Sequence, residues 1–176
     1  MRIEREHTAA IVVDYQEKLV PVMNDKDKLL HNSEILLKGL KILEVPMYIT
    51  QQYTKGLGTS VKEITDAVED VAYTDKLSFT AYDCVADKIS SKEYIIVCGI
   101  EAHICVLQTV IDLKAAGFVP VLVADCISSR KESDKQVAIE RARQEGAIVT
   151  TYESLLFELL KVAGTETSKK IQKLIR

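Results

Sequence analysis

Thr8-Ala9-Ala10-Ile11-Val12-Val13-Asp14 is an apolar run of strand length that stops abruptly at an acid. A strand with one wet face alternates apolar and polar residues, whereas unbroken apolarity means burial on both faces, the mark of a parallel sheet covered by helices. Working outward, Asp27 to Leu43 carries leucine and isoleucine at helical spacing, Glu44-Val45-Pro46 breaks it, and Met47-Tyr48-Ile49-Thr50 reads as a second strand. The alternation continues with a strand at Val71 to Thr74, a helix at Tyr82 to Ile89 and a strand at Tyr94 to Cys98. A helix from about Ile104 to Ala116 is closed by Gly117, a strand follows at Val119 to Ala124, and a helix from Asp134 to Gln144 is stopped by Gly146. Ala147 to Thr150 is the sixth strand, with helices at Ser154 to Val162 and Ile171 to Ile175. Strands alternating with helices throughout predict a doubly wound α/β sandwich on a six-stranded, mainly parallel sheet.

A length of 176 residues fits one domain spanning 1–176. With 47% apolar and 28% charged residues the composition is that of an ordinary globular protein, and a net charge of -3 gives no electrostatic reason to expect nucleic acid or an anionic membrane as partner. The first ten residues carry charges where a secretory leader needs an apolar stretch, so the expected location is the cytoplasm. Four cysteines, at 84, 98, 105 and 126, form no C-x-x-C pair, and a disulfide framework is not expected.

In open parallel sheets, ligands bind beyond the carboxyl ends of the strands, where the strand order reverses. The residues there are Asp14, Gln51 to Tyr53, Asp75 and Lys76, Gly99 to Cys105, and Asp125 to Arg130. Taken singly, the acid is a helix cap, the lysine a solvated surface group and the cysteine a small buried hydrophobe. Taken together they form a candidate catalytic set. Cys105 follows a strand and opens a helix, where unpaired N–H groups and the positive end of the dipole favour thiolate. Lys76 supplies a second positive charge, and Asp14 can take the thiol proton and return it to a leaving group. On this reading Cys105 is the thiol expected to alkylate first at neutral pH. Cys98 is core, Cys84 is structural, and Cys126 is the second choice as reactive thiol.

Other motifs carry less. His7, His31 and His103 form no H-x-H or H-x-x-x-H pair, so no metal site is expected. His103 lies two residues from Cys105, a separation at which helical side chains do not face each other. Gly56-Leu57-Gly58 lacks the rest of a dinucleotide fingerprint, and no cofactor is expected. Ser128-Ser129-Arg130-Lys131 suits an anion and suits a solvated helix cap equally. The segment from Gln51 to Asp70 is the least regular, a loop able to cover a site.

The chain resembles the isochorismatase-like cysteine hydrolases, and most closely the subgroup of isochorismatase domain-containing protein 2. The resemblance rests on Val12-Val13-Asp14-Tyr15-Gln16-Glu17-Lys18, Glu44-Val45-Pro46, Thr50-Gln51-Gln52-Tyr53 with Gly56-Leu57-Gly58, and Lys76-Leu77-Ser78-Phe79. Cys98-Gly99-Ile100-Glu101-Ala102 leading to Cys105, Asp125-Cys126-Ile127-Ser128-Ser129-Arg130 and the tail Ile171-Gln172-Lys173-Leu174-Ile175 complete it, in one order along nearly the whole chain. It implies a Rossmann-like six-stranded domain, a homo-oligomer, and an Asp–Lys–Cys triad on Asp14, Lys76 and Cys105. It also implies a cis peptide at Ile100–Glu101, with the backbone N–H groups of Glu101 and Cys105 as oxyanion donors. The thiol branch of the family cleaves C–N bonds of small amides through a thioester, and a cysteine at 105 places the chain there. The nicotinamidases of that branch carry an Asp–His–His metal site after the second strand, where this chain reads Gln51-Gln52-Tyr53-Thr54-Lys55 without histidine.

The expectation is therefore a hydrolase of a small amide or related C–N bond, with Tyr53 and Phe79 lining the substrate pocket. Two other classes compete: a binding or scaffold protein that keeps the fold without turnover, and a thiol redox protein cycling Cys105 through sulfenic acid.

Overall fold

The first strand lies at the centre of the sheet because both of its faces are apolar. In the structure, a computed structural model that describes residues 1–69 and 71–176, six strands run in the order β3-β2-β1-β4-β5-β6. These are β1 Thr8–Val13, β2 Met47–Gln52, β3 Tyr73–Lys76, β4 Tyr94–Ile100, β5 Val119–Ser128 and β6 Ile148–Thr150. All five pairings are parallel. The helices are α1 Lys26–Ile42, α2 Thr54–Leu57, α3 Lys62–Val68, α4 Tyr82–Ile89, α5 Leu107–Ala115, α6 Glu132–Gln144, α7 Tyr152–Leu160 and α8 Glu166–Ile175.

Because side chains alternate across a strand, β1 feeds two cores. Ala10 and Val12 pack with Leu36, Leu37 and Leu40 of α1, Ile64 of α3, Leu155 and Leu156 of α7 and Ile171 of α8. Ala9, Ile11 and Val13 pack with Val85 and Ile89 of α4, Val110 and Leu113 of α5, and Ala138 and Ala142 of α6. The predicted three-layer, doubly wound α/β architecture is thus observed. Each fully buried Val, Leu or Ile contributes roughly 1.5–3 kcal/mol, so the two cores hold the sheet from both sides.

The crossover helices return the chain to the sheet by one device. After α1, Val45 N–H donates to Leu40 O and Glu44 N–H to Lys41 O, both at 3.0 Å. After α5, Phe118 N–H donates to Leu113 O and Gly117 N–H to Lys114 O. Both are Schellman closures, which need a left-handed residue after the helix. Gly117 meets that need without cost, whereas Glu44 adopts it at φ 57° and is followed two residues later by Pro46.

Four strands reach further toward the sheet's carboxyl edge than the sequence reading placed them, the second ending at Gln52 instead of Thr50. The third strand runs to Lys76 instead of ending at Thr74; being an edge strand, it is largely exposed and carries no apolar signature. The fourth reaches Ile100 and the fifth Ser128, past an irregularity in their register between Val97 and Gly99. The irregular segment after β2 contains two short helices, α2 and α3, and its last residue, Asp70, lies outside the described residues. It is stapled by Gln16, whose side-chain amide donates to Gln52 O (3.0 Å) and Gly58 O (2.7 Å) and accepts from Gln52 N–H (2.6 Å).

Candidate active site

Asp14 is the first residue past β1 and turns out of the sheet in the left-handed region, φ 54°, which aspartate tolerates better than most residues. Its N–H still donates to Thr50 O (3.2 Å), and its Oδ1 accepts from Thr50 Oγ1 at 2.8 Å, so β2 fixes both backbone and carboxylate. Lys76 ends β3 beside Gln52, and its ammonium lies 2.7 Å from Asp14 Oδ2. Both side chains are removed from solvent. An ammonium has three protons, and those of Lys76 go to Gln52 Oε1 (2.7 Å), Phe79 O (3.0 Å) and Ser78 O (3.2 Å). Asp14 Oδ2 is consequently held by its ion pair with Lys76, with no further hydrogen-bond donor among the described residues. A buried carboxylate oxygen in that condition is an acceptor waiting for a proton.

Cys105 enters from β4 over the switch point between β1 and β4. Gly99 makes that entry possible. It pairs with Val13 at φ 134°, and a Cβ there would meet Val13 O at 2.1 Å. The chain then passes the Ile100–Glu101 peptide, which is cis, and forms a π-helical turn over Ala102–Val106 before α5. Val106 N–H donates to Glu101 O at 3.2 Å, the i to i+5 bond of such a turn. The predicted helix from Ile104 is therefore a π turn followed by an α-helix, and Cys105 lies within the turn.

This changes the state of the thiol. Cys105 is only 6% exposed. Burial first, and the negative charge of Asp14 second, push the thiol up to about 12, against the opposing pull of Lys76; Glu101 adds to the rise. This rise runs against the thiolate expected at a helix opening. The lysine's charge is engaged by the carboxylate, and desolvation outweighs what remains. Cys98 is also pushed up to about 12 by burial, and Cys126 well above its ordinary value. Cys84, the partly exposed cysteine, rises too, through burial opposed by Lys76.

Tyr53 and Phe79 flank this centre without closing it. Tyr53 N–H donates to Lys76 O (2.8 Å) and Phe79 O accepts from Lys76 Nζ, yet their side chains are 49% and 54% exposed, with Leu77 between them at 75%. The turn bearing Cys105 is gripped from the loop after β5. Arg130 donates through its backbone N and its Nε to Glu101 Oε2, both at 3.1 Å, and His103 Nδ1 meets Ser129 Oγ at 2.9 Å. His103 is thereby turned to the loop. A cleft of about 550 Å³ lies off the ends of β5 and β6, lined among others by Lys28, Asp125, Lys135 and Arg143; none of Asp14, Lys76 and Cys105 lines it. Among the described residues no cluster of three or more His, Cys, Asp and Glu is placed to hold a metal, and no helix is long and apolar enough to cross a membrane.

Sequence reasoning gave no role to Thr50 and Thr109, and it placed Gln52 at the site only as part of the strand-end segment Gln51 to Tyr53. Thr50 and Gln52 were legible only as polar residues at and just past the end of a predicted strand. Such residues need partners.

The isochorismatase domain model matches residues 8–154, from the start of β1 into α7. The chain belongs to the isochorismatase family. Isochorismatase domain-containing protein 2 of Danio rerio is 34% identical over 178 residues, covering 99% of this chain and 89% of that protein. The secreted isochorismatase effector Isc1 of Phytophthora sojae is 33% identical over 183 residues, covering 99% and 87%. The solved structure of the MAR1 ribonuclease from Caenorhabditis elegans has a TM-score of 0.95 at 34% identity, covering 99% of this chain and 92% of that one. The resemblance to the isochorismatase family read from the motifs is thereby shown, and with it an isochorismatase-family hydrolase fold.

Proposed function

We propose that this isochorismatase-family chain is a cysteine hydrolase that cleaves a small amide or related C–N bond, with Cys105 as nucleophile, Asp14 as proton carrier and Lys76 as the fixed counter-charge. The observation that carries the reading is the Oδ2 of Asp14, buried in its ion pair with Lys76 with no further donor, beside a thiol that burial and that carboxylate keep protonated. A neutral thiol and a waiting acceptor form a donor–acceptor pair. The Cys105 proton passes to Asp14 Oδ2 as sulfur attacks the carbonyl carbon, so no free thiolate accumulates. Backbone N–H groups of Glu101 and Cys105 are the proposed oxyanion donors. Asp14 hands the proton to the leaving nitrogen, which departs as the C–N bond breaks and leaves a thioester. Water then gives a proton to Asp14 while adding to the thioester, and collapse returns the acid product and the Cys105 thiol. Tyr53 and Phe79 are the proposed substrate-contacting side chains at the mouth. The proposal includes a homo-oligomer in the cytoplasm, with a small molecule as its partner.

The test is a panel of small amides scored for ammonia release, run beside Cys105→Ala, with an RNA oligonucleotide as a further substrate because the Caenorhabditis elegans structure is that of a ribonuclease. Ammonia release that vanishes in Cys105→Ala supports the reading. RNA cleavage that depends on Cys105, with no amide turned over, replaces it with a nuclease. Cell fractionation decides location, a necessary measurement given that the Phytophthora sojae relative is secreted.

A further inference from the structure

Thr109 lies one helical turn beyond the nucleophile, fully buried in α5. Its hydroxyl donates to Cys105 O at 2.7 Å and accepts from Ala81 N–H at 2.8 Å. The first bond is local to the helix. The second crosses to the start of α4, two residues after Phe79, whose carbonyl receives the Lys76 ammonium at 3.0 Å. Followed along, the contacts form a chain from the Asp14 carboxylate through the Lys76 ammonium to Phe79 O, along the backbone to Ala81 N–H, and through the Thr109 hydroxyl to the backbone of Cys105. All three members of the triad are tied into it, and a single side-chain hydroxyl spans the gap between the lysine loop and the cysteine turn.

We propose that Thr109 is a positioning residue that sets the approach of the Cys105 thiol to Asp14 Oδ2. This rests on the reading of Cys105 as nucleophile, and it assigns a function to a bond that helix stability does not require. The π turn explains why such a tie is needed. A turn closed by an i to i+5 bond is wider than its α-helical neighbours, and its end must be pinned from outside if the side chain it bears is to keep one direction. A hydroxyl suits the position because it donates and accepts at once. Valine has the same shape but cannot do either, and it would leave Ala81 N–H buried and unpaired. With the tie gone, Cys105 drifts from the groups that face it: Asp14 from the end of β1, Lys76 from β3 and Glu101 from the turn itself.

The experiment follows iodoacetamide labelling of Cys105 against pH, with peptide mapping to separate it from Cys84, in the wild type, Thr109→Val, Thr109→Ser and Thr109→Ala. Loss of burial and of the Asp14 field should move the labelling midpoint of the valine variant down by about one pH unit, roughly a tenfold gain in rate at a fixed alkaline pH. Serine, which keeps the hydroxyl, should track the wild type. A valine variant with the wild-type midpoint, whatever its melting temperature, would overturn the proposal. If valine does not fold, alanine against serine decides: a lowered midpoint in alanine alone supports the tie, and equal midpoints refute it. Because labelling needs no substrate, failure here is distinct from failure of the hydrolase reading, which would show as ammonia release persisting in Cys105→Ala.

Discussion

At the scale of single residues, the site is organised around one carboxylate with two unlike oxygens. Asp14 Oδ1 is satisfied by Thr50, and Oδ2 is held by its ion pair with Lys76. Asp14→Asn keeps the shape, the left-handed tolerance and an acceptor for Thr50, but removes the negative charge. Two quantities should then separate. Turnover of the amide found in the panel should fall by about 10²-fold or more, the loss typical of a missing general base. The Cys105 thiol should titrate at lower pH than in the wild type, because the charge that raises it is gone while Lys76 still lowers it. Thiolate absorbance across a pH series reads the second. A midpoint that stays put or rises would mean that Asp14 does not act on the sulfur. By the same logic, the partly exposed Cys84 should compete with Cys105 for alkylation at neutral pH, and peptide mapping after limiting iodoacetamide decides between this and the sequence reading that Cys105 labels first. Which residues meet could be read from strand ends, because an apolar run that stops at an acid or lysine marks the sheet's edge. The protonation state could not, because it depends on depth of burial and on a turn type that no residue in Ala102 to Val106 announces.

Among the elements, the central pair of strands carries the strictest demand. β1 and β4 pair at every position from Thr8 opposite Tyr94 to Val13 opposite Gly99, and at the last of these there is no room for a side chain. Gly99→Ala would set a Cβ 2.1 Å from Val13 O in a conformation that L residues rarely adopt. Strain and overpacking together should cost about 3 kcal/mol or more, lowering the melting temperature by on the order of 10 °C. A variant within a degree or two of wild type would show that β4 can shift without harm. The central strands were legible in sequence because both their faces are apolar. β3 was misplaced by two residues because an edge strand buries little, and α2 and α3 escaped notice because four and seven residues are too few to display a helical period.

Across the whole molecule, the buried acids that are not carboxylates share one sign. Cys98 and Cys105 are pushed up to about 12, and Cys126 and Tyr15 well above their ordinary values, with burial the leading cause in each case. Unfolding returns the thiols to about 9, so above that pH the unfolded chain binds fewer protons than the folded one. Stability is therefore fully present below pH 9 and lost as pH rises toward 12. Urea midpoints taken at pH 8 and at pH 10.5 should fall between the two, and Cys98→Ala should lessen the fall. A flat profile would mean that these groups are far more hydrated than their burial implies.

The central place of β1 also bears on synthesis. Thr8 pairs with Tyr94, a separation of 94 − 8 = 86 residues, so a strand made early must wait for a partner made much later. At about 5–20 residues per second the interval is roughly 4–17 s, during which a six-residue apolar segment has only β2 for company on one side. A ribosome-bound chain at that stage presents an open, sticky edge, and it is there that a nascent-chain chaperone would find its client.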